Sequence, residues 1–489
     1  MLSRTSLCVF SFSAIVLVTL LLTWRRLGNS WATFSEPYYH RDAYKSQQTL
    51  QGAGSHGGQP MGNKSYSSHP KSPQGHPDIK LNSICNNFPD TSNILLVMKT
   101  GASESFEKIP TQLLTLLKCL PDYLIFSDMD QNIAGHPIHD SLSTVLPKVK
   151  EGNIDFDIYN NQKACVVDQA SCNKMGDSAT DAWILDKYKN IHMAERAYAM
   201  KPGYDWYLFA DADTYVVWPN VAEWLKTLHP SERHFLGSLN LINDVWFAHG
   251  GSGYVLSRGM MDDFVGRNPG IANRWDEVAK EECCGDFMFS KAVRETSMKN
   301  VSQAWPTING QKPSTIPYGP SHWCHPIATM HHMNSEDIST FWDFERRCTH
   351  RPLLIRDLYL HFFAPLLQPQ RTAWDNLSDE IFYLDMDNTT HPAREWDKKL
   401  LERAKPRNRL NEYEKTAHRS AEDCAAACRS VSYRECFQWR FRRGQCGFGT
   451  AFVLGEPGEL VVVSGWDVER IQAWVEYQGE CERVLWPEI

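Results

Sequence analysis

Asp211 and Asp213 sit two residues apart at the end of an apolar run that starts at Trp206, and a second apolar run continues to Trp218. At the end of a strand, this spacing lets a carboxylate and its neighbours converge on one divalent cation. Hard oxygen ligands of this kind suit Mn²⁺ or Mg²⁺ holding a diphosphate. The plainer reading is an Asx-turn between two strands, so the pair needs company to mean more. Three further groups supply it. His249, Gly250, Gly251, Ser252 and Gly253 form a glycine-rich loop that permits φ > 0 and close backbone approach to a ligand, or simply a turn. Glu281, Glu282, Cys283, Cys284, Gly285 and Asp286 run into a helical stretch, where an acid is ordinarily an N-cap. His331 and His332 are neutral imidazole donors of the sort that transition metals accept, or else ordinary loop residues.

These groups need a scaffold. Ile94 to Met98, Tyr123 to Phe126, Tyr207 to Ala210 and Phe235 to Ser238 are short apolar runs suited to buried strands. Between them, Phe106 to Leu117, Trp183 to Met200 and Val221 to Leu228 have helical patterns, the second opened by the capping candidate Asp181. Tyr254 to Ser257 lead into a further helix that Ser257 caps. Strands alternating with helices predict an α/β fold with a largely parallel sheet. Ligands of such sheets gather at the carboxyl ends of the strands, where Lys99, Thr100, Asp128, Asp211 and Asp213 would stand.

The chain has 489 residues, room for two or three domains, and a net charge of −8 with no long basic block. That balance gives nucleic-acid binding no electrostatic support. Leu7 to Trp24 is an uncharged run of 18 residues between Arg4 and Arg25-Arg26, read as an uncleaved signal-anchor after a short tail at 1–6. A cleaved signal peptide is the alternative. Residues 25–82, rich in Ser, Gly, Gln, Pro and His, bury too little apolar surface to fold and read as a flexible stem. Of 14 cysteines, all but Cys8 follow the anchor, and N-x-S/T sequons occur at Asn63, Asn300, Asn376 and Asn388. This usage fits the secretory lumen. No Cys-x-x-Cys pair points to a zinc site. A charged stretch at about 395–410 reads as a linker or a solvated helix. It precedes a compact cluster of Cys424, Cys428, Cys436, Cys446 and Cys481.

Taken in order, the Asp-x-Asp pair, the block from Gly250 to Ser257, the helix led by Asp286 and the His331-His332 pair resemble the fringe-like β-1,3-glycosyltransferases, the family of the core 1 O-glycan galactosyltransferase. The resemblance spans about residues 93–345, and the glycine block is its most specific part. It implies a GT-A type, Rossmann-like domain over 83–395. Lys99 and Thr100 are similar to the family's first-strand nucleotide segment, and Trp183 to Lys187 to the helix before the metal strand. By the same resemblance Asp128 and Lys187 would belong to the nucleotide site, Asp211 to the ribose or metal shell, and Asp213 and His332 to Mn²⁺, with Mg²⁺ as the alternative ion and His331 as the alternative histidine. Gly250, Gly251 and Gly253 would line the sugar pocket. Asp286 would be the catalytic base, with Glu282 as fallback because Gly285 replaces the relatives' adjacent acid. Ala212 likewise replaces the middle acid of the relatives' triplet. The cysteine cluster resembles a PAN/Apple module over 410–489, without an evident partner for Cys481.

The implied activity is transfer of a hexose or N-acetylhexosamine from a UDP-sugar to a glycan or glycoprotein, with inversion and most readily a β-1,3 linkage. The implied location is the Golgi membrane, as a single-pass type II protein with a lumenal catalytic domain. The rival expectation is a non-catalytic secretory protein that binds carbohydrate or protein through its PAN-like module. Trp246 and Phe247, beside the glycine loop, could stack on a sugar or lie in the core.

Overall fold

The structure, a computed structural model, describes residues 85–172, 178–348, 352–386 and 398–489. The tail, anchor and stem read from the sequence, with the sequons at Asn63 and Asn388, lie outside the described residues. Among the described residues no helix is long and apolar enough to cross a membrane.

In chain order the first strands are β1 (Ile94–Lys99), β2 (Tyr123–Ser127), β3 (Gln131–Ile133), β4 (His136–Asp140), β5 (Trp206–Asp211), β6 (Tyr215–Val216), β7 (Phe235–Gly237), β8 (Leu239–Ile242), β9 (Val245–Ala248), β10 (Tyr254–Ser257), β11 (Ser302–Gln303) and β12 (Thr329–Met330). Eight of them make one sheet in the order β11-β7-β10-β5-β1-β2-β4-β3. Its centre shows why β1 reads as an unbroken apolar run. Side chains alternate across the sheet, so Ile94, Leu96 and Met98 enter one core with Leu208, while Leu95 and Val97 enter the other with Tyr207 and Phe209. A strand buried on both faces has no polar face to show.

The sheet is mixed, which corrects the expectation of a largely parallel one. β1 is parallel to β2 and β5, but β10 is antiparallel to both β5 and β7. The cause is local: the chain between β7 and β10 forms the β8–β9 hairpin instead of a helical crossover, and a parallel return needs a crossover.

The helices that bear on the site are α1 (Ser105–Leu114), α2 (Ser178–Asp186), α3 (Asn190–Met200), α4 (Trp218–Leu225), α5 (Ile271–Ala279), α6 (Gly285–Ser297) and α7 (Ser335–Arg347). α1 is shorter than its apolar pattern, which ends in a 3₁₀ turn at Leu116–Cys119. α4 starts earlier than expected because Pro219 suits a first helical turn. The long helix expected over 183–200 is broken into α2 and α3 at Lys187, Tyr188 and Lys189. Lys187 pairs with Asp155 at 2.8 Å, while Lys189 turns toward Asp128 and Asp186. The two buried lysines at the break thus take partners on different elements.

The carboxyl-terminal part holds β13 (Gln370–Thr372), β14 (Trp374–Asp375), β15 (Ile381–Leu384), α8 (Ala421–Ser430), β16 (Gln438–Arg442), β17 (Gln445–Gly449), β18 (Glu456–Pro457), β19 (Val463–Trp466) and α9 (Val468–Gln478). Its sheet, β13-β19-β16-β17-β15, draws strands from 370–384 as well as from 438–466. The charged stretch, which falls between β15 and α8, includes a helix at Lys398–Arg403. Cys424–Cys446 and Cys428–Cys436 staple α8 to the strands, and Cys481 finds its partner in Cys324 of the preceding part. Phe437, Phe452, Trp466 and Trp474 pack in the same core as Tyr318, Trp323, Tyr359 and Phe363. Asn376 is buried, and its amide donates to the carbonyls of Trp439 and Gly465, so in the folded chain this sequon is a structural asparagine. Asn300 is exposed.

Candidate active site

The carboxyl ends of β1, β2 and β5 meet in register, with Lys99 opposite both Phe126 and Asp211. Lys99 Nζ lies 2.5 Å from Asp186 Oδ2 and 3.4 Å from Asp211 Oδ1. Lys189 Nζ lies 3.4 Å from Asp186 Oδ1 and 3.6 Å from Asp128 Oδ1. The result is an alternating chain, partly buried at Asp211, Lys99 and Asp186 and fully buried at Lys189 and Asp128. Burial alone would discharge Lys99, Lys189 and Asp186, but their partners reverse it. Asp186 and Asp211 outweigh burial and hold the Lys99 ammonium well above its usual range. Lys99 and Lys189 likewise hold Asp186 below the ordinary carboxylate value. Asp211 is the exception. Burial, with Asp186 and Asp213 as repelling neighbours, raises its pKa despite Lys99. This corner has more carboxylate than its lysines can neutralise.

Asp213 lies one turn further on. The turn is fixed by Ala212 N–H donating to the Lys99 carbonyl and Thr214 N–H to that of Asp211. β6 then pairs antiparallel with β12, placing Tyr215 opposite Met330. That short ribbon delivers His331 and His332 to Asp213, and Met333 N–H locks it by donating to the Asp213 carbonyl. His331 Nε2 is 3.2 Å from Asp213 Oδ1, and the two histidine rings are 3.9 Å apart between centroids. Lys108 of α1 holds Asp213 Oδ2 at 3.1 Å and Glu104 at 2.8 Å. Burial disfavours charge on His331, but Asp213 overrides it and raises the imidazole; His331 and Lys108 in turn hold Asp213 well below the usual carboxylate range. His332 is pushed down to about 3 by desolvation and then by the neighbouring His331 charge.

One ligand atom from each of Asp213, His331 and His332 can be chosen so that all lie within 4.8 Å of one another. A carboxylate oxygen with two imidazole nitrogens is a donor set that a first-row divalent cation accepts. His331 Nδ1 is buried and lacks a hydrogen-bond partner, as do one ring nitrogen each of His234, His322 and His325, so it is open to a ligand without by itself marking one. The donors therefore fit a cation. The resemblance pointed to Asp211, Asp213 and His332; the structure gathers Asp213 with both histidines and turns Asp211 to Lys99.

The glycine loop closes over this group. A Cβ on Gly251 would lie 2.1 Å from His331 Cε1, so only glycine lets the imidazole seat. Gly253 has φ of 80° and packs on the Phe209 carbonyl, again a position for glycine. Gly250 N–H donates to Asp286 Oδ2 at 2.7 Å. Asp286 is the second residue of α6, whose N-cap is Cys284, so it is not the N-cap that the plainer reading supposed. Gly285 is the close-approach residue: its Cβ would fall 2.8 Å from the Asp186 carbonyl. Glu282, the fallback base, is paired with Lys291 at 2.7 Å.

The remaining expected residues divide. Asp128 is fully buried and accepts from Ala102 N–H, anchoring the turn that begins at Thr100, itself buried. Lys187 stands apart from the cluster, held by Asp155 and the Lys280 carbonyl. A small cavity behind the glycine loop is lined by Lys99, Asn190, Phe209, Asp211, Gly250 and Tyr254. Asn190, Asp186, Lys189 and Lys108 were not singled out by the sequence, whereas His249 was read as part of the glycine loop. Asp186 and Lys189 pair locally with each other, but their other partners, Lys99 and Asp128, are far away in sequence and give no local signal. The chain matches no protein-family model and no curated protein.

Proposed function

We propose that this protein is a metal-dependent inverting glycosyltransferase with a GT-A type domain, moving a hexose or N-acetylhexosamine from a UDP-sugar to a hydroxyl of a glycan or glycoprotein and forming a β-1,3 linkage. The observation that carries the reading is the convergence of Asp213, His331 and His332 beneath a glycine loop whose Gly250 is bonded to Asp286. A divalent cation, Mn²⁺ or Mg²⁺, held by Asp213, His331 and His332 would neutralise charge on the diphosphate as it leaves. Lys99 keeps its positive charge but spends it on Asp186 and Asp211, so the charge that meets the diphosphate would come from the cation. Asp286, across the glycine loop, accepts the proton of the acceptor hydroxyl as its oxygen bonds to the anomeric carbon and the bond to phosphate breaks. One base and one displacement invert the anomeric centre. The reading places the protein in the Golgi membrane, anchored by its amino-terminal segment with the catalytic part in the lumen.

Calorimetry tests the cation directly. UDP should bind the full-length protein in Mn²⁺ and lose most of its affinity in chelator or on Asp213→Asn. Equal UDP affinity with and without Mn²⁺ would remove the metal from the account. Absence of UDP binding altogether, with glycan binding retained, would favour the non-catalytic reading.

A further inference from the structure

The β8–β9 hairpin carries a feature that the proposed site does not use. Its turn residues Asn243 and Asp244 have φ of 46° and 61°, as a two-residue hairpin turn with right-handed twist requires. The turn fixes the register, so Leu241 faces Trp246 directly across the ladder. Both are exposed, Leu241 by 47% and Trp246 by 57%. Phe247, on the other face of β9, is buried against Phe287 of α6, one residue after Asp286. Ala248 N–H is tied to Ser290 of the same helix. β9 is thus braced on the helix that bears Asp286, and the hairpin presents Trp246 of β9 and Leu241 of β8 to solvent.

Two segments converge on His249, whose ring lies 5.7 Å from that of His331 between centroids. β9 reaches it directly. The other runs from Gln303, whose side-chain oxygen accepts from both Leu239 N–H at the base of the hairpin and Trp305 N–H, to Gly310, which packs on Ser252 and His249. Trp305 is 38% exposed. Indole faces left in water at the rim of a polar site suit the apolar face of a pyranose ring, whose axial C–H groups stack while its hydroxyls stay solvated. Trp246 lies three residues before His249, roughly 10 Å along an extended chain, or about two sugar rings.

We propose that Trp246, with Leu241 opposite it, is an acceptor subsite that stacks on a sugar ring of the acceptor glycan. This rests on the transferase reading, and it adds the class of acceptor: a saccharide whose next ring, not only the attacked one, is recognised. The test uses full-length protein in detergent, saturated with Mn²⁺ and UDP, and titrates p-nitrophenyl mono- and disaccharides by calorimetry. Wild-type protein should bind one or more disaccharides more tightly than the matching monosaccharide. Trp246→Ala should weaken that binding by about tenfold, the scale of one lost aromatic stack. Trp246→Phe should restore most of it, and UDP affinity should stay unchanged in both. Equal disaccharide affinity in wild type and Trp246→Ala, or no saccharide binding by wild type while UDP binds, would overturn the subsite. Absence of UDP binding by wild type would overturn the transferase reading itself, and with it the assignment of any bound saccharide as an acceptor.

Discussion

Gly251→Ala is the sharpest perturbation that the site geometry offers. The added methyl would sit 2.1 Å from His331 Cε1 and 2.5 Å from both ring nitrogens. The imidazole has little room to retreat. It is buried, faces His332 at 3.9 Å and His249 at 5.7 Å between centroids, and is paired with Asp213. Relief must come from shifting His331 away from Asp213 or from displacing the loop that carries Gly250 and its bond to Asp286. Overpacking of this kind costs about 1–3 kcal/mol of stability. Displacing one imidazole should lower metal affinity by about 10–100-fold, the range found when the support of a ligand is lost. Mn²⁺ affinity, read from the electron-paramagnetic signal of free Mn²⁺, and melting temperature would be measured together. Gly203→Ala is the control: its φ is 88°, so alanine is strained there, but nothing lies within 4 Å of the new methyl. It should lower the melting temperature and leave Mn²⁺ affinity untouched. Gly251→Ala protein that binds Mn²⁺ like wild type would refute the placement of His331 in the metal site.

Other perturbations report on the scaffold. Lys189→Met should cost about 3–5 kcal/mol in urea unfolding, because Lys189 is only 2% exposed and its loss leaves Asp128 and Asp186 without their shared buried cation; a loss below about 1 kcal/mol would contradict the charge chain. Replacing Cys324 and Cys481 by serine should destabilise the protein by about 2–5 kcal/mol, since the bridge closes a separation of 157 residues, and a melting temperature equal to wild type would show that packing alone holds the carboxyl-terminal part. Glu414 accepts from Lys405, Asn411 N–H and Tyr383, and although burial opposes its charge these partners lower its pKa below the ordinary 4.5. A depressed carboxylate adds stability that is present above 4.5 and is lost as pH falls through the folded value. Glu414→Gln should therefore flatten the acid limb of the melting-temperature profile below that pH, and an unchanged limb would assign it to other groups.

The central strands are legible in the sequence because β1, β2 and β5 are buried on both faces, and short continuous apolar runs between helical patterns are what such strands require. Their carboxyl ends follow, which is why Lys99 and Asp211 can be placed near one another from sequence. The His331 and His332 pair can be suspected from composition, but only the β6–β12 ribbon, a pairing across more than a hundred residues, shows why both reach Asp213. The break between α2 and α3 is hidden because the helical pattern continues through it, and the distant partners of the lysines at the break, Asp155 and Asp128, are not legible from local sequence. The direction of β10 is not legible because a strand's neighbours are set by what the intervening chain does, and here that chain folds into the β8–β9 hairpin. Cys481 cannot be paired from sequence because its partner, Cys324, lies outside the cysteine cluster.

The most direct measurement is UDP release and product formation from a panel of UDP-hexoses and UDP-N-acetylhexosamines, with full-length wild-type protein and with Asp286→Asn. The account predicts Mn²⁺-dependent transfer from one donor, a β-glycoside product from an α-linked donor, and loss of transfer in Asp286→Asn while UDP still binds. A retained α-anomer in the product, or full transfer by Asp286→Asn, would contradict it.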